Sequence, residues 1–232
     1  MKFDIITIFP QIFDSYFSES ILARAQKNKL IKIKIHNLRE YTTDKHQTID
    51  DTPYGGGAGM VMKVEPIYKS IKSIKSIKSK VGKSVKSRMI LFSAKGKRYT
   101  QKDAVRLAKY DNLIFVCGRY EGVDERVAQN LVDEEISIGD YVLTGGEIPA
   151  MAVVDSITRL LPGVLGNCES AKDESHSSEG YLEYPQYTKP EVFSVSKKKW
   201  KVPEVLLSGN HKKIEEWRKE KSICLIDRQE TK

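Results

Sequence analysis

An α/β protein built on a mainly parallel sheet is the fold class this sequence predicts, on three observations. Short, almost wholly apolar runs recur along the chain, of the kind buried on both faces of a sheet. Segments of helical periodicity separate them. Glycine-containing loops follow several of these runs, where α/β sheets place their ligand crevice.

In chain order, "KFDIITIF" (2–9) opens as a strand and "SESILARAQKNK" follows as a helix. In "LIKIKIHNL" the isoleucines at 31, 33 and 35 alternate with Lys32, Lys34 and His36, a period of two that marks a half-buried strand. The run "KSIKSIKSIKSK" (69–80) has the look of low complexity. Ile67, Ile71, Ile74 and Ile77 nevertheless fall on one helical stripe backed by lysine, which predicts an amphipathic crossover helix closed by Val81 and Gly82. "RMILFS" (88–93) and "NLIFVCG" (112–118) are buried strands. Between them, Thr100 with Asp103 three residues on is a helix N-cap signal. "DERVAQNLV" is a helix, "EISIG" a strand, and "EIPAMAVVDSITRLLPG" a longer helix stopped by Pro162-Gly163.

Beyond Pro162 the texture changes. "GVLGNCESAKDESHSSEG" is rich in Gly, Ser and charge and reads as a linker over 163–180. "NHKKIEEWRKEKSICLIDRQ" reads as a final basic helix with Ile214, Trp217, Cys224 and Leu225 near one side. The organisation expected is an α/β domain at 1–162, the linker, and a small, mostly helical basic domain at 181–232.

Composition narrows the function classes. The N-terminus has no signal-peptide core, since Asp4, Pro10 and Asp14 interrupt it, and no apolar run reaches spanning length. Cys117, Cys168 and Cys224 and the four histidines are scattered, so neither a disulfide framework nor a zinc site is indicated. A soluble cytoplasmic chain without membrane contact is the expectation. The net charge of +8 is unevenly placed: residues 69–102 carry 12 basic residues and no acid, 103–188 sum to −10, and 189–232 to +5. Basic flanks around an acidic centre fit a polyanionic partner.

The stretch "YGGGAGM" (54–60) asks what needs so much bare backbone. It is no P-loop, because no Gly-Lys-Ser/Thr follows, and no dinucleotide fingerprint, because Met62 stands where the third glycine belongs. "FSAKGKR" (92–98), "CGRYEGVDERV" (117–127) and "SIGDYVLTGGE" (137–147) each follow a predicted strand. Singly each is an ordinary turn; together they indicate one shared pocket.

The motifs "DDTPYGGGAGM", "GRYEGVDERV", "IGDYVLTGGE", "LPGVLGN" and "YPQYTKPEV", in this order, resemble the bacterial tRNA (guanine-N1)-methyltransferases that modify position 37 of the anticodon loop. The resemblance implies a SPOUT-type α/β domain with a deep C-terminal trefoil knot, which the general rule against knotted chains would not have suggested. It implies a homodimer with composite active sites, tRNA with G37 preceded by a guanine as substrate, and S-adenosyl-L-methionine as methyl donor. By similarity, Gly118, Ile138, Gly139, Asp140, Tyr141, Val142 and Leu143 hold the cofactor's adenosine, while Ser93, Gly96 and Gly59 complete the wall. Glu121 is placed by similarity at the cofactor's methionine end or the guanine; an ion pair with Arg119 or Arg126 is the plainer alternative. Arg159 matches the arginine that meets guanine O6, and a helix C-terminal charge is its plainer role.

The general base is where the sequence departs from the family, which has Asp before Ser in the linker. Here Glu174 precedes Ser175, and Asp173 stands one residue earlier as the alternative base. Ala58, Thr52 and Ala94 replace a proline, an arginine and a proline common in the family. The resemblance also implies a part for Mg2+, which in the absence of a metal motif would act through substrate or a transient carboxylate contact. Two rival readings remain: a knotted methylase of ribose or rRNA, which needs no N1 base, and a non-catalytic RNA-binding protein, which binds no cofactor.

Overall fold

The computed structural model describes residues 1–79, 85–166, 175, 176, 178, 180–196 and 198–224, with the backbone alone for 76–79 and 223–224. The chain forms two compact units, Met1–Gly166 and Asn167–Lys232. The division falls within the segment that reads as a linker. The expected helix end at Val81 and Gly82 lies outside the described residues.

In the first unit, β1 (Lys2–Thr7), β2 (Lys32–Asn37), β5 (Ser87–Arg98), β6 (Asn112–Cys117) and β7 (Glu134–Ser137) form a parallel sheet in the order β2-β1-β6-β5-β7. A short antiparallel pair, β3 (Asp50–Asp51) and β4 (Val61–Met62), brackets the glycine-rich stretch. Central β6 is buried at every residue, whereas edge strand β2 alternates from Lys32 to Ile35 as its period-two pattern predicts; His36, in phase with the exposed lysines, is instead buried against Asp4 at 2.9 Å. In register, Ile5 lies between Ile35 and Phe115, and Phe115 lies beside Ile90.

Alternation along the strands splits the core in two. Phe3, Ile5, Ile90, Leu113 and Phe115 face one cluster, shared with residues of α1 (Asp14–Phe17), α2 (Ser20–Lys27), α4 (Gln101–Leu107) and α6 (Glu147–Thr158). Ile6, Leu91, Ile114 and Val116 face the other, closed by α3 (Val64–Ser79) and α5 (Glu125–Asn130). The isoleucine stripe of α3 enters that second cluster through Ile67, Ile71 and Ile74. Thr100 starts α4 as expected: its backbone N–H and its hydroxyl both donate to the Asp103 carboxylate, at 3.2 and 3.0 Å.

Two crossings near the C-terminal ends of the strands shape everything above them. Ile136 of β7 pairs with Phe92 and again with Lys97. Between those two partners β5 leaves the ladder in a bulge whose backbone passes close over β7. Gly96 makes the passage possible: a Cβ there would sit 2.6 Å from the Ile136 nitrogen and 2.7 Å from the Glu135 carbonyl carbon. After β7 the chain returns toward the end of β6, where the Gly146 N–H donates to the Gly118 carbonyl at 2.9 Å. A Cβ on Gly146 would stand 2.7 Å from the Cys117 Cα.

The second unit carries the helices expected of it and, in addition, short strands that the sequence does not announce. It contains α7 (Glu204–Leu207) and α8 (His211–Lys221), together with a hairpin of β9 (Val192–Val195) and β10 (Lys198–Lys201). A further pair joins β8 (Tyr181–Leu182) to β11 (Ile223–Cys224). The last helix stops at Lys221, where Ser222 turns extended, so Cys224 belongs to a strand and not to the helical stripe. Leu225 lies outside the described residues.

Three carboxylates carry much of the acid sensitivity. Burial alone would raise Asp4, but hydrogen bonds from His36 and Lys2 outweigh it and hold it below 3.8. Lys97, Thr100 and Arg106 do the same for buried Asp103, and Arg106 and Arg88 for Glu134 against its ordinary 4.5. The unfolded chain binds protons more readily at all three. Their contribution is therefore complete above the ordinary values and is lost as pH falls through the depressed folded ones. The thermal midpoint should be flat from about pH 7 to 5 and drop below about pH 4, with Asp103→Asn weakening the drop; an equal slope in the variant would refute the assignment. Gly96→Ala should cost about 1–3 kcal/mol in urea denaturation, because the clash is with backbone that cannot rotate away.

Candidate active site

The register break of β5 at 93–96 and the loops 118–123 and 138–146, at the C-terminal ends of β6 and β7, together line a cleft of about 470 Å³. This is the position where parallel sheets expose their unpaired strand ends. Much of the wall is main chain, because glycine or a turned backbone stands at the points of closest approach. Ser137, buried at the end of β7, sets the turn into the loop 138–146: its hydroxyl donates to the Gly139 carbonyl at 2.9 Å and accepts from the Gly139 N–H at 3.3 Å. Tyr120 adopts φ +61° in the loop 118–123, a left-handed conformation that a bulky residue holds only where its surroundings dictate it.

Of the residues singled out from sequence, Ser93, Gly118, Glu121, Ile138, Gly139, Tyr141, Val142 and Leu143 all line this cleft. Asp140 turns outward and pairs with Arg98 at 3.4 Å. Gly96 lies beneath the wall, pressed on β7. Gly59 lies against the Glu121 side chain, within 2.5 Å of where its own Cβ would stand. Backbone ties hold these loops in place: the Glu121 N–H donates to Met60 O at 3.1 Å and the Met62 N–H to Gly122 O at 3.0 Å. Arg159 stands at the other end of α6, a helix whose first turn borders the cleft; 13 residues at 1.5 Å each separate the two by roughly 20 Å. Glu174 and Asp173 lie outside the described residues.

The alternative reading of Glu121 as an ion-pair partner is not what the structure contains. Arg126 pairs with Asp124 at 2.6 Å, and Arg119 with Glu147 at 2.9 Å. Among the described residues the Glu121 carboxylate has no hydrogen bond or ion pair, and it faces the cleft. At the cleft mouth Lys95 pairs with Glu125 at 2.5 Å, and both side chains are exposed.

Sequence reasoning missed the group that fastens the loops. Glu147, in the first turn of α6, is 1% exposed. Its two oxygens meet Arg119 Nε at 2.9 Å and the buried Thr7 hydroxyl at 2.7 Å. Arg119 also donates to the carbonyl and hydroxyl of Thr144, each at 3.2 Å, and its guanidinium lies over the Phe9 ring at 4.9 Å. One arginine thus links the end of β1, the loop after β6, the loop after β7 and the start of α6. A lone carboxylate opening the otherwise apolar "EIPAMAVV" was the available signal. Cys117, also beside the cleft, is no nucleophile: burial first, and the Glu147 charge second, push its thiol well above 9.0.

Among the described residues no group of three or more His, Cys, Asp or Glu side chains gathers to hold a metal, and no helix is long and apolar enough to cross a membrane.

Comparison with known proteins places the chain. The sequence profile of the family described as tRNA (Guanine-1)-methyltransferase TrmD matches residues 1–230. A tRNA (guanine-N(1)-)-methyltransferase of Anoxybacillus flavithermus is 52% identical over 223 residues, covering 96% of this chain and 87% of the relative. Its counterpart from Dehalococcoides mccartyi is 48% identical, covering 96% and 86%. Among solved structures, the tRNA (m1G37) methyltransferase from Aquifex aeolicus superposes with a TM-score of 0.76 at 39% identity, over 94% of this chain and 87% of that one.

Glu147→Ala should destabilise the protein by about 3–5 kcal/mol in urea denaturation, since it strands a largely buried guanidinium. Adding Arg119→Ala should cost much less than the sum of the single changes. Additive losses would show that the pair does not act as a unit.

Proposed function

The chain belongs to the tRNA (Guanine-1)-methyltransferase TrmD family, and we propose that it transfers a methyl group from S-adenosyl-L-methionine to N1 of guanine 37 in the anticodon loop of tRNA. The carrying observation is the cleft at the register break of β5 and the ends of β6 and β7, lined by eight of the residues the family resemblance selects. The position in tRNA is supported by the likeness to the Aquifex aeolicus tRNA (m1G37) methyltransferase. A preceding guanine 36 belongs to the same reading.

The cleft suits the cofactor. Its volume of about 470 Å³ falls in the range of small-molecule sites. Ile138, Leu143 and Pro149 give it an apolar side for an adenine, and the peptide groups at Gly118 and Gly139 give it donors and acceptors. Bound there, S-adenosylmethionine supplies an electrophilic methyl group. The Glu121 carboxylate at the rim, without a partner among the described residues, is placed to meet a cationic or N–H group. The passages over β7 at Gly96 and back to β6 at Gly146 support a trefoil-knotted domain.

Guanine N1 carries a proton and becomes a nucleophile only as that proton leaves. A linker carboxylate, Glu174 or alternatively Asp173, accepts it; such a base contributes ~10²–10⁴ in rate. Negative charge then grows on O6, where the Arg159 guanidinium stabilises it. Because Arg159 and the cleft lie roughly 20 Å apart along α6, the arginine acts on the cleft of the partner in a homodimer with composite sites. The exposed Phe9, Ile12 and Ile148, close to the start of α6, supply apolar surface for that partner. Tyr16 donates to Asp155, which pushes the Tyr16 hydroxyl up to about 12 and fixes α1 on α6. In this reading residues 1–162 bind the cofactor, 163–180 carry the base, and 181–232 hold tRNA in the cytoplasm.

Incubation with S-adenosylmethionine and an unmodified transcript carrying G36-G37 should yield 1-methylguanosine on nucleoside analysis, and the A37 transcript should yield none. Glu174→Gln should slow single-turnover transfer by ~10²–10⁴, with a smaller effect from Asp173→Asn. Methylation of ribose, or transfer unaffected in the variant combining Glu174→Gln with Asp173→Asn, would refute the reading.

A further inference from the structure

The hairpin of β9 and β10 has no counterpart in the sequence reading, and its composition is unusual for an exposed element. Trp200 pairs with Phe193, and Lys198 with Val195, so these four share one face. Lys199 opposite Ser194 and Lys201 opposite Val192 share the other. Every described residue of both strands is exposed, with Trp200 at 60% and Phe193 at 51%. A two-stranded ribbon with no buried face derives little stability from burial, so solvent-facing aromatics are unexplained by the packing of the unit.

We infer that this hairpin is an RNA contact in which the Trp200 ring stacks on an unpaired base while Lys198, Lys199 and Lys201 meet backbone phosphates. The inference rests on the tRNA reading above and names a surface on which part of the substrate sits. Aromatic rings interleaved with lysines and free of acid are the pattern that holds single-stranded nucleic acid: stacking tolerates any base, and lysines follow the backbone. Residues 192–201 contain no carboxylate. The two rings meet tilted, at 44° and 5.8 Å between centroids, so they do not cover each other face to face and the plane of Trp200 stays open. A protein partner fits less well, because three lysines around the aromatic pair would have to be desolvated or matched one by one. Trp217, the second tryptophan, is instead tilted against Tyr187 and only partly exposed.

The test uses the full chain carrying Trp217→Phe, so that Trp200 is the only tryptophan, titrated with an anticodon stem–loop RNA. Its emission should change saturably. Trp200→Ala in the wild-type chain should weaken RNA binding by about 5- to 150-fold, and Trp200→Phe by far less, since a ring remains. The Lys198→Ala/Lys199→Ala/Lys201→Ala variant should reduce the slope of log affinity against log salt by about 2 to 3. Unchanged emission at saturation, or an alanine variant within twofold of wild type with an unchanged salt slope, would overturn the inference. If Trp200→Ala does not fold, the emission change and the phenylalanine variant decide. Formation of 1-methylguanosine by the wild-type protein, measured alongside, tests the function separately. Its absence with RNA quenching intact would refute the methyl-transfer reading alone, and methylation without Trp200 involvement would refute only the hairpin.

Discussion

A carboxylate buried to 1% exposure cannot stand without partners, and the way Glu147 finds them governs the rest of the first unit. Its two oxygens take Arg119 and Thr7, and Arg119 also donates through Nη1 to Thr144. Those residues come from four separate parts of the chain. The loops after β6 and β7 are consequently pinned to the start of α6 by charge-assisted bonds in a site largely screened from water, where such bonds are stronger than at a surface. Loops so tied can present their peptide groups to a ligand without first being ordered by it, which lowers the entropic cost of binding.

The same crowding explains the glycines. Where the chain passes over β7, and where it returns to β6, backbone meets backbone at distances that exclude a Cβ. The sheet supplies a rigid base for these passages, since its central strands are buried between two apolar clusters and cannot yield. The cleft is therefore a consequence of chain path more than of any single side chain. Glu121 is the exception: with both neighbouring arginines engaged elsewhere, its carboxylate is left to the cleft.

The second unit obeys other rules. None of its described residues is buried, and its rings pack near the surface, Tyr187 tilted against Trp217 and Tyr184 beneath the Arg218 guanidinium. With so little core, its surface is charge and exposed ring. The uneven charge of the chain maps only partly onto the two units: the acidic stretch 103–188 supplies most of the cleft wall and runs on into the second unit, where the +5 of residues 189–232 lies.

Local pattern determined what depends on neighbours in sequence. The apolar runs gave the strands, the four-residue isoleucine spacing gave α3, Thr100 with Asp103 gave the start of α4, and the glycine-rich motifs gave most of the cleft wall. The hairpin at Val192–Lys201 escaped because a run of lysines hides the alternation of Trp200 and its neighbours. The helix ending at Lys221 was read too long because an extended Ser222 leaves no mark in composition. Only the tertiary structure decided which arginine meets which carboxylate. Arg119 lies two residues from Glu121 yet pairs with Glu147, 28 residues away, because the return of the chain to β6 places that buried charge within its reach and burial makes the unpaired alternative too costly.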